Sequence, residues 1–194
     1  SGRTYAERID RLLKLYPWDI QLTQLNLLDS HDTARMLNIA GGDKASVALA
    51  TLLLMTFPGA PSLFYGDEIG LPGEQEPDSR RAFPWNAPDT WDQEALAYHK
   101  ALIALRHAHP ALRTGDFQTV YADADVYCFV RADASERVLV AVNAGDVERD
   151  LAIALDAGPA GLEPIVLYGS GQVAPNGASL AVRLPARSGS VVKV

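Results

Sequence analysis

Cysteine is nearly absent. Cys128 stands alone in 194 residues, which excludes an intrachain disulfide and any cysteine-rich zinc module. Positive charge is scarce too: 17 Lys and Arg face 24 Asp and Glu, giving a formal net charge of −7, and the basic residues form no cluster. Nucleic-acid binding through counterion release needs such a cluster, so no nucleic-acid partner is expected. Nor is there an apolar run long enough to cross a bilayer. The longest, ASVALATLLLMTFP from Ala45 to Pro58, falls short of the roughly 20 residues a spanning helix needs and reads as a buried helix. No membrane partner is expected either. The opening SGRTYAERIDRLLKLYPW lacks the basic-then-apolar order of a signal peptide, which leaves the compartment open, because an export signal can sit upstream of Ser1.

What is present is globular. The chain is 48% hydrophobic and 21% charged, with 15 Gly and 12 Pro, enough for one domain or two small ones. The first half alternates helix and strand. Ile9, Leu12, Leu13, Leu15 and Tyr16 recur at helical spacing behind a cap at Thr4 or an adjacent residue, and Pro17 is expected to end that helix. Leu25–Leu28 reads as a short buried strand. Asp43 is placed to cap a helix over Lys44–Phe57, and SLFYG after the turn PGAP reads as a second buried strand. A long segment without periodicity, Asp67–Thr90, leads to a helix at about Asp92–His107 that Pro110 closes.

The second half holds only short alternating segments: FQTVY, VYCFVRA, RVLVAVN, RDLAIAL, EPIVLY, SLAVRL and SVVKV. Gly, Asn, Asp and Pro separate them at the spacing of a small antiparallel sandwich or barrel. The boundary is placed near Arg113–Thr114. Two parallel strands with their helices cannot close a core or cover their own edges, so the first half reads as the tail of a larger α/β unit.

Three clusters carry chemistry. Asp29-Ser30-His31-Asp32-Thr33, with Arg35 beyond, stands where a buried strand gives way to a loop, the end at which α/β barrels collect their active sites. These residues suit substrate binding, metal ligation or proton transfer, and equally a turn or helix cap. Gly66-Asp67-Glu68-Ile69-Gly70 follows the second strand and projects from the same end, or is a turn whose carboxylates accept from backbone amides. Glu76-Pro77-Asp78-Ser79-Arg80-Arg81 is either a solvated charge run or a rim that binds hydroxyl-rich ligands. Phe83 and Trp85 offer faces that suit sugar rings or anchor a loop. His107 and His109 fit the carbonyl end of a helix, and Cys128 reads as a small core residue.

The order of these clusters is more specific than any one of them. LNLLDSHDTAR, then GGDKASVALATLLLMTFPGAPSLFYGDEIGLPG, then EPDSRRAFPW, then LIALRHAHPALRTGDF resembles the α-amylase family of glycoside hydrolases, in its neopullulanase, cyclomaltodextrinase and maltogenic-amylase branch. The resemblance runs through roughly the first 60% of the chain, and the β-rich remainder fits the family's carboxy-terminal domain. It implies an α/β plus all-β fold: residues 1–113 as the last two β/α units of a TIM-type (β/α)8 barrel, residues 114–194 as an antiparallel β-sandwich domain.

By that resemblance Asp32 matches the family's third catalytic carboxylate, which binds the sugar at the cleavage point and stabilises its cation-like transition state. His31 matches the histidine that contacts the same sugar. Arg80 matches a loop arginine that binds glucose units further along, and Glu76 occupies the place of its usual Asp partner. The nucleophile and general acid of a retaining glycosidase come from earlier strands that no segment here matches. The implied partner is an α-glucan or maltooligosaccharide cleaved at α-1,4 bonds, with α-1,6 bonds also open, and this chain alone is expected to be inactive. The resemblance implies no cofactor within the chain and places the family's calcium sites mostly upstream. The unpaired barrel strands are expected to promote self-association. The alternative is a standalone sugar-binding or assembly module derived from such an enzyme, without catalysis.

Overall fold

The computed structural model describes residues 1–155 and 163–194. Six helices, α1 (Gly2–Leu12), α2 (Trp18–Thr23), α3 (Met36–Ile39), α4 (Lys44–Thr56), α5 (Gln93–Ala108) and α6 (Pro110–Thr114), precede the β-rich part. Two short strands, β1 (Leu25–Asn26) and β2 (Ala60–Pro61), lie among them and pair in parallel, Leu25 opposite Ala60 and Asn26 opposite Pro61.

Local chemistry explains most of these boundaries. The Ser1 side chain accepts from the Thr4 amide, so the first helix starts earlier than a cap at Thr4 would place it. Pro17 does not end that helix. It caps α2 instead, because a proline at a helix start sacrifices an N–H that has no intrahelical partner anyway. Asp43 caps α4 through the amides of Ala45 and Ser46, as its position predicts, and Asp92 caps α5 through that of Ala95.

The second parallel strand sits two residues earlier than SLFYG, and Gly59 is the reason. With φ at +104°, Gly59 turns the chain so that the Ala60 amide reaches the Gln24 carbonyl at 2.8 Å. A Cβ at Gly59 would lie 2.6 Å from the Asn26 side-chain nitrogen, so only glycine fits.

Among the described residues, eight antiparallel strands follow: β3 (Asp116–Ala122), β4 (Val126–Ala132), β5 (Arg137–Asn143), β6 (Arg149–Ala154), β7 (Ile165–Gly169), β8 (Gln172–Asn176), β9 (Ser179–Leu184) and β10 (Ser188–Lys193). They form a five-stranded sheet in the order β3-β4-β5-β10-β7 and a three-stranded sheet in the order β6-β9-β8. The β8 strand, QVAPN, escapes the alternation pattern because Pro175 and polar neighbours interrupt it. It pairs at the outer side of β9, where a missing N–H is tolerated.

The five-stranded sheet is covered on both faces. Val126, Cys128 and Val130 of β4 point to the three-stranded sheet and meet Leu151, Ile153, Val182 and Leu184. Tyr127 and Phe129 point the other way, into a core with Leu52 and Met55 of α4 and Leu102 and Leu105 of α5. That double burial is why VYCFVRA reads as a continuous apolar run. Helix α4 lies so close to β10 that a Cβ at Gly189 would come within 2.3 Å of Leu52.

Two arginines join the helical layer to the sheet. Arg131, fully buried on β4, donates to the carbonyls of Thr56 (2.7 Å), Leu112 (2.8 Å), Gly115 (2.9 Å) and Asp116 (3.2 Å). Arg106 on α5 donates to those of Met55 (2.9 Å), Phe57 (3.0 Å), Leu112 (2.8 Å) and Gly59 (2.5 Å). Neither has a carboxylate among these partners. The carbonyl end of α4 concentrates negative potential there and offsets the cost of burying both charges.

His109 closes α5 through its backbone amide, but its imidazole turns away from the helix carbonyls. Its Nδ1 lies 2.9 Å from the buried Glu136 carboxylate, which also accepts from the Ala111 amide at 3.1 Å and so fastens α6 to the sheet.

Candidate active site

The loop after β1 divides its residues between construction and display. Asp29 is buried, and its Oδ2 accepts the Met36 amide at 2.5 Å, fixing the start of α3. The Ser30 hydroxyl accepts from the Asp32 amide at 3.2 Å, and the Thr33 hydroxyl accepts from the Ser30 amide at 3.0 Å. These bonds build a tight turn. The turn leaves His31 and Asp32 outside it, with side chains 57% and 68% exposed, and brings His31 Nε2 to 3.2 Å from Asp32 Oδ1. The turn reading therefore holds for Ser30 and Thr33, while His31 and Asp32 are displayed outside the turn.

The third cluster folds back onto this display. Ser79, buried in a single 3-10 turn over Asp78–Arg80, donates to the His31 carbonyl at 3.1 Å. Arg80 donates through Nε to the same carbonyl at 3.3 Å. Its Nη2 lies 3.4 Å from Asp32 Oδ1 and 2.9 Å from Glu76 Oε1. All four residues singled out in the sequence, His31, Asp32, Glu76 and Arg80, thus converge in one polar network. Arg81 belongs to a separate pair. It donates to both oxygens of Asp78 at 2.7 and 3.0 Å. These bonds, with the Glu74 amide, hold the Asp78 carboxyl below the usual carboxylate range.

The second cluster lies beneath. Arg35 is fully buried and stacks on Phe64 and Tyr65, with its guanidinium carbon 4.4 and 4.9 Å from the ring centres. Its Nη1 donates to the Tyr65 carbonyl at 2.7 Å and to Asp67 Oδ1 at 3.2 Å, and its backbone amide donates to the Gly73 carbonyl at 2.9 Å. The turn reading of this cluster puts the Asp67 carboxylate on backbone amides. Asp67 faces Arg35 and Asp29 instead, while Glu68 takes the amide of Gly66 at 2.7 Å. Asn38 adds a further tie, accepting from the Gly73 amide at 2.8 Å and donating to Glu74 at 2.7 Å.

Phe83 and Trp85 form a tilted pair at 4.2 Å, and Trp91 closes edge-on against both. Trp85 remains 72% exposed, while Trp91 donates its indole N–H to the Pro84 carbonyl at 3.1 Å. Sequence reading missed Trp91 and the Asp29–Arg35–Asp67 group. The signal for the latter was slight: an Arg two residues after Thr33 and a strand-end Asp, with nothing local to join them. Among the described residues no three His, Cys, Asp or Glu side chains converge as metal ligands do.

Residues 4–90 match the family described as Alpha amylase, catalytic domain. The whole chain superimposes on the native form of the Nostoc punctiforme debranching enzyme with a TM-score of 0.90 at 48% sequence identity, covering 100% of this chain and 40% of that one. The chain belongs to the α-amylase family. Among curated α-amylase relatives, a cyclomaltodextrinase from Geobacillus thermopakistaniensis is 36% identical over 159 residues, covering 81% of this chain and 27% of its own length. Neopullulanase 2 from Thermoactinomyces vulgaris is 40% identical over 149 residues, covering 74% of this chain and 25% of its own. The chain therefore spans about a quarter of the length of these relatives. In α-amylase terms β1 and β2, with α4 and α5, are the last two β/α units of a TIM-type barrel, and the antiparallel sheets are the sandwich that follows.

Proposed function

We propose that this chain is the carboxy-terminal part of a retaining α-glucan hydrolase that cleaves α-1,4 bonds, and in some substrates α-1,6 bonds, in maltodextrins, cyclodextrins or starch-like polymers. The observation that carries the reading is the joining of His31, Asp32, Glu76 and Arg80 at the strand ends. Asp32 supplies a fixed negative charge against the oxocarbenium-like transition state and accepts hydroxyls of the distorted sugar. His31 contacts the same sugar. Arg80, held by Glu76, binds glucose units further along the chain.

Retention requires a nucleophile and a general acid about 5–5.5 Å apart, and both come from strands outside these 194 residues. In this reading the chain alone binds sugar weakly and does not cut it. With its side chain largely exposed, Asp32 is screened by water and acts at full strength only when the rest of the barrel and the substrate exclude that water.

The apolar face beside β1 supports the same reading. Leu25 is 65% exposed and Leu27 49%, next to a groove that Tyr5, Leu53, Leu54 and Phe57 also line. In the intact barrel this face receives neighbouring strands. In the isolated chain a second copy takes their place, and the protein self-associates.

The test is the anomeric form of the first product. Proton NMR of maltooligosaccharide hydrolysis by the intact protein should show the α-anomer forming first. An initial β-anomer, or no hydrolysis, overturns the reading.

A further inference from the structure

Beneath the exposed network lies a charged group that makes no sugar contact in the proposed function. Asp29 and Arg35 come from the loop after β1, Asp67 from the turn after β2. Asp29 is 3% exposed, Arg35 is 0% exposed and the Asp67 side chain 11%, so two carboxyl groups and one guanidinium are largely shielded from water here. With both carboxyls ionised it would carry a net negative charge away from water, which is costly.

The hydrogen-bond pattern is incomplete on both sides, because Arg35 Nε and Nη2 are buried with no acceptor. Asp29 Oδ2 takes the Met36 amide, but Oδ1 is buried with no donor. Asp67 offers one oxygen to Arg35, and the neighbouring Asp29 carboxyl acts on it to favour its protonated form. Two ionised carboxylates cannot bond to each other, since neither has a hydrogen to give. One proton neutralises the excess charge and turns one carboxyl into a donor for the orphaned Asp29 Oδ1.

We propose that Asp67 is protonated at neutral pH, donates to Asp29, and with Arg35 forms a latch that fixes the loop bearing His31 and Asp32 against the loop bearing Glu76 and Arg80. Asp29 and Asp67 are positioning residues. Burial, the hydrogen bond with Asp29 and the charge of Asp29 push the Asp67 pKa up to about 8, against the pull of Arg35. On its open side Asp67 lines a cavity of about 260 Å³ with Lys44, Asp92, Glu94, Tyr98 and His99. Lys44 is engaged by Asp92 at 2.7 Å, and His99 Nδ1 by the Ala95 carbonyl at 2.8 Å. Arg35 is the cation in direct contact with Asp67.

The sign of the pH effect follows. Released from the latch, Asp67 titrates near 3.8, whereas in place it titrates near 8, so the closed form holds the extra proton between those values. Closure is therefore strongest below about pH 4 and is lost as pH rises towards 8. One linked proton changes the opening equilibrium by up to tenfold per pH unit within that window.

Only the assignment of Asp32 to sugar binding rests on the proposed function; the latch itself is measurable without substrate. Amide hydrogen exchange of the full chain, read by mass spectrometry between pH 5 and 9 and corrected for intrinsic rates, follows opening of segments 29–36 and 65–73. Opening should increase about tenfold or more from pH 6 to 8 in the native protein. Asp67→Asn keeps a neutral donor to Asp29 and an acceptor for Arg35, so it should stay closed and show a flat pH profile, whereas Asp67→Ala should be open throughout. Should Asp67→Asn fail to fold, Asp29→Asn is read in its place and should also flatten the profile, because it removes the second charge. A flat native profile, or an Asn variant as pH-sensitive as the native chain, overturns the latch. Neither result depends on hydrolysis, so failure of the latch and failure of the glucan-hydrolase reading are separable.

Discussion

Arg80 reaches back across 48 residues of sequence to set its Nη2 3.4 Å from Asp32 Oδ1, while the same nitrogen lies 2.9 Å from Glu76. One guanidinium thus joins a carboxylate at the end of one barrel strand to a carboxylate in the long loop after the next. Both pairs are exposed, so their contribution to stability is small. Arg80→Ala should shift stability by less than about 1 kcal/mol while weakening maltooligosaccharide binding by the intact protein. Thermal unfolding and calorimetric titration separate the two effects. A large loss of stability with unchanged binding would make Arg80 a structural residue.

The buried arginines behave in the opposite way. Arg131→Met leaves the carbonyls of Thr56 and Gly115 without their side-chain donor and removes one of two donors to Leu112. Orphaned buried acceptors cost roughly 1–3 kcal/mol each, so a loss of about 3 kcal/mol is expected in denaturant unfolding. Arg183→Ala, which breaks an exposed pair with Asp150, is the control and should leave stability essentially unchanged.

Asp123 predicts an acid limb. Burial opposes its ionisation, but the amides of Val126 and Asp125 and the Arg149 guanidinium outweigh burial and bring its pKa to about 2. Its stabilising contribution is present above about pH 4, the range of an unfolded Asp, and is lost as pH falls towards 2. Asp123→Asn should therefore lower stability at pH 6 and flatten the decline between pH 4 and 2. Equal slopes for the two proteins would contradict this assignment.

The isolated 194-residue chain should release no reducing ends from maltooligosaccharides, and sedimentation should show concentration-dependent association through the face around Leu25 and Leu27. Hydrolysis by the pure chain would remove the argument that its catalytic partners lie elsewhere.

Much of the architecture was legible because single residues carry strong local signals. Asp43 and Asp92 announce their helices through side chains that reach their own first turns. The alternation of RDLAIAL and the unbroken run of VYCFVRA report one-sided and two-sided burial. The short parallel strand at Ala60–Pro61 was misplaced because its pairing depends on Gly59 and on Gln24, far apart in sequence. The QVAPN strand was invisible because its neighbour, not its own side chains, holds it in place. His31, Asp32, Glu76 and Arg80, which lie together in the structure, were singled out through the order of motifs, whereas Asp29, Arg35 and Asp67 were not joined. Their relationship is tertiary, and each alone suits a turn or a helix cap.

The most direct measurement is the turnover of Asp32→Asn in the intact protein. If Asp32 stabilises the transition-state charge, kcat should fall by about 10²–10³-fold or more, with far-UV circular dichroism and unfolding temperature unchanged. Near-normal kcat in a correctly folded variant would contradict the role assigned to Asp32.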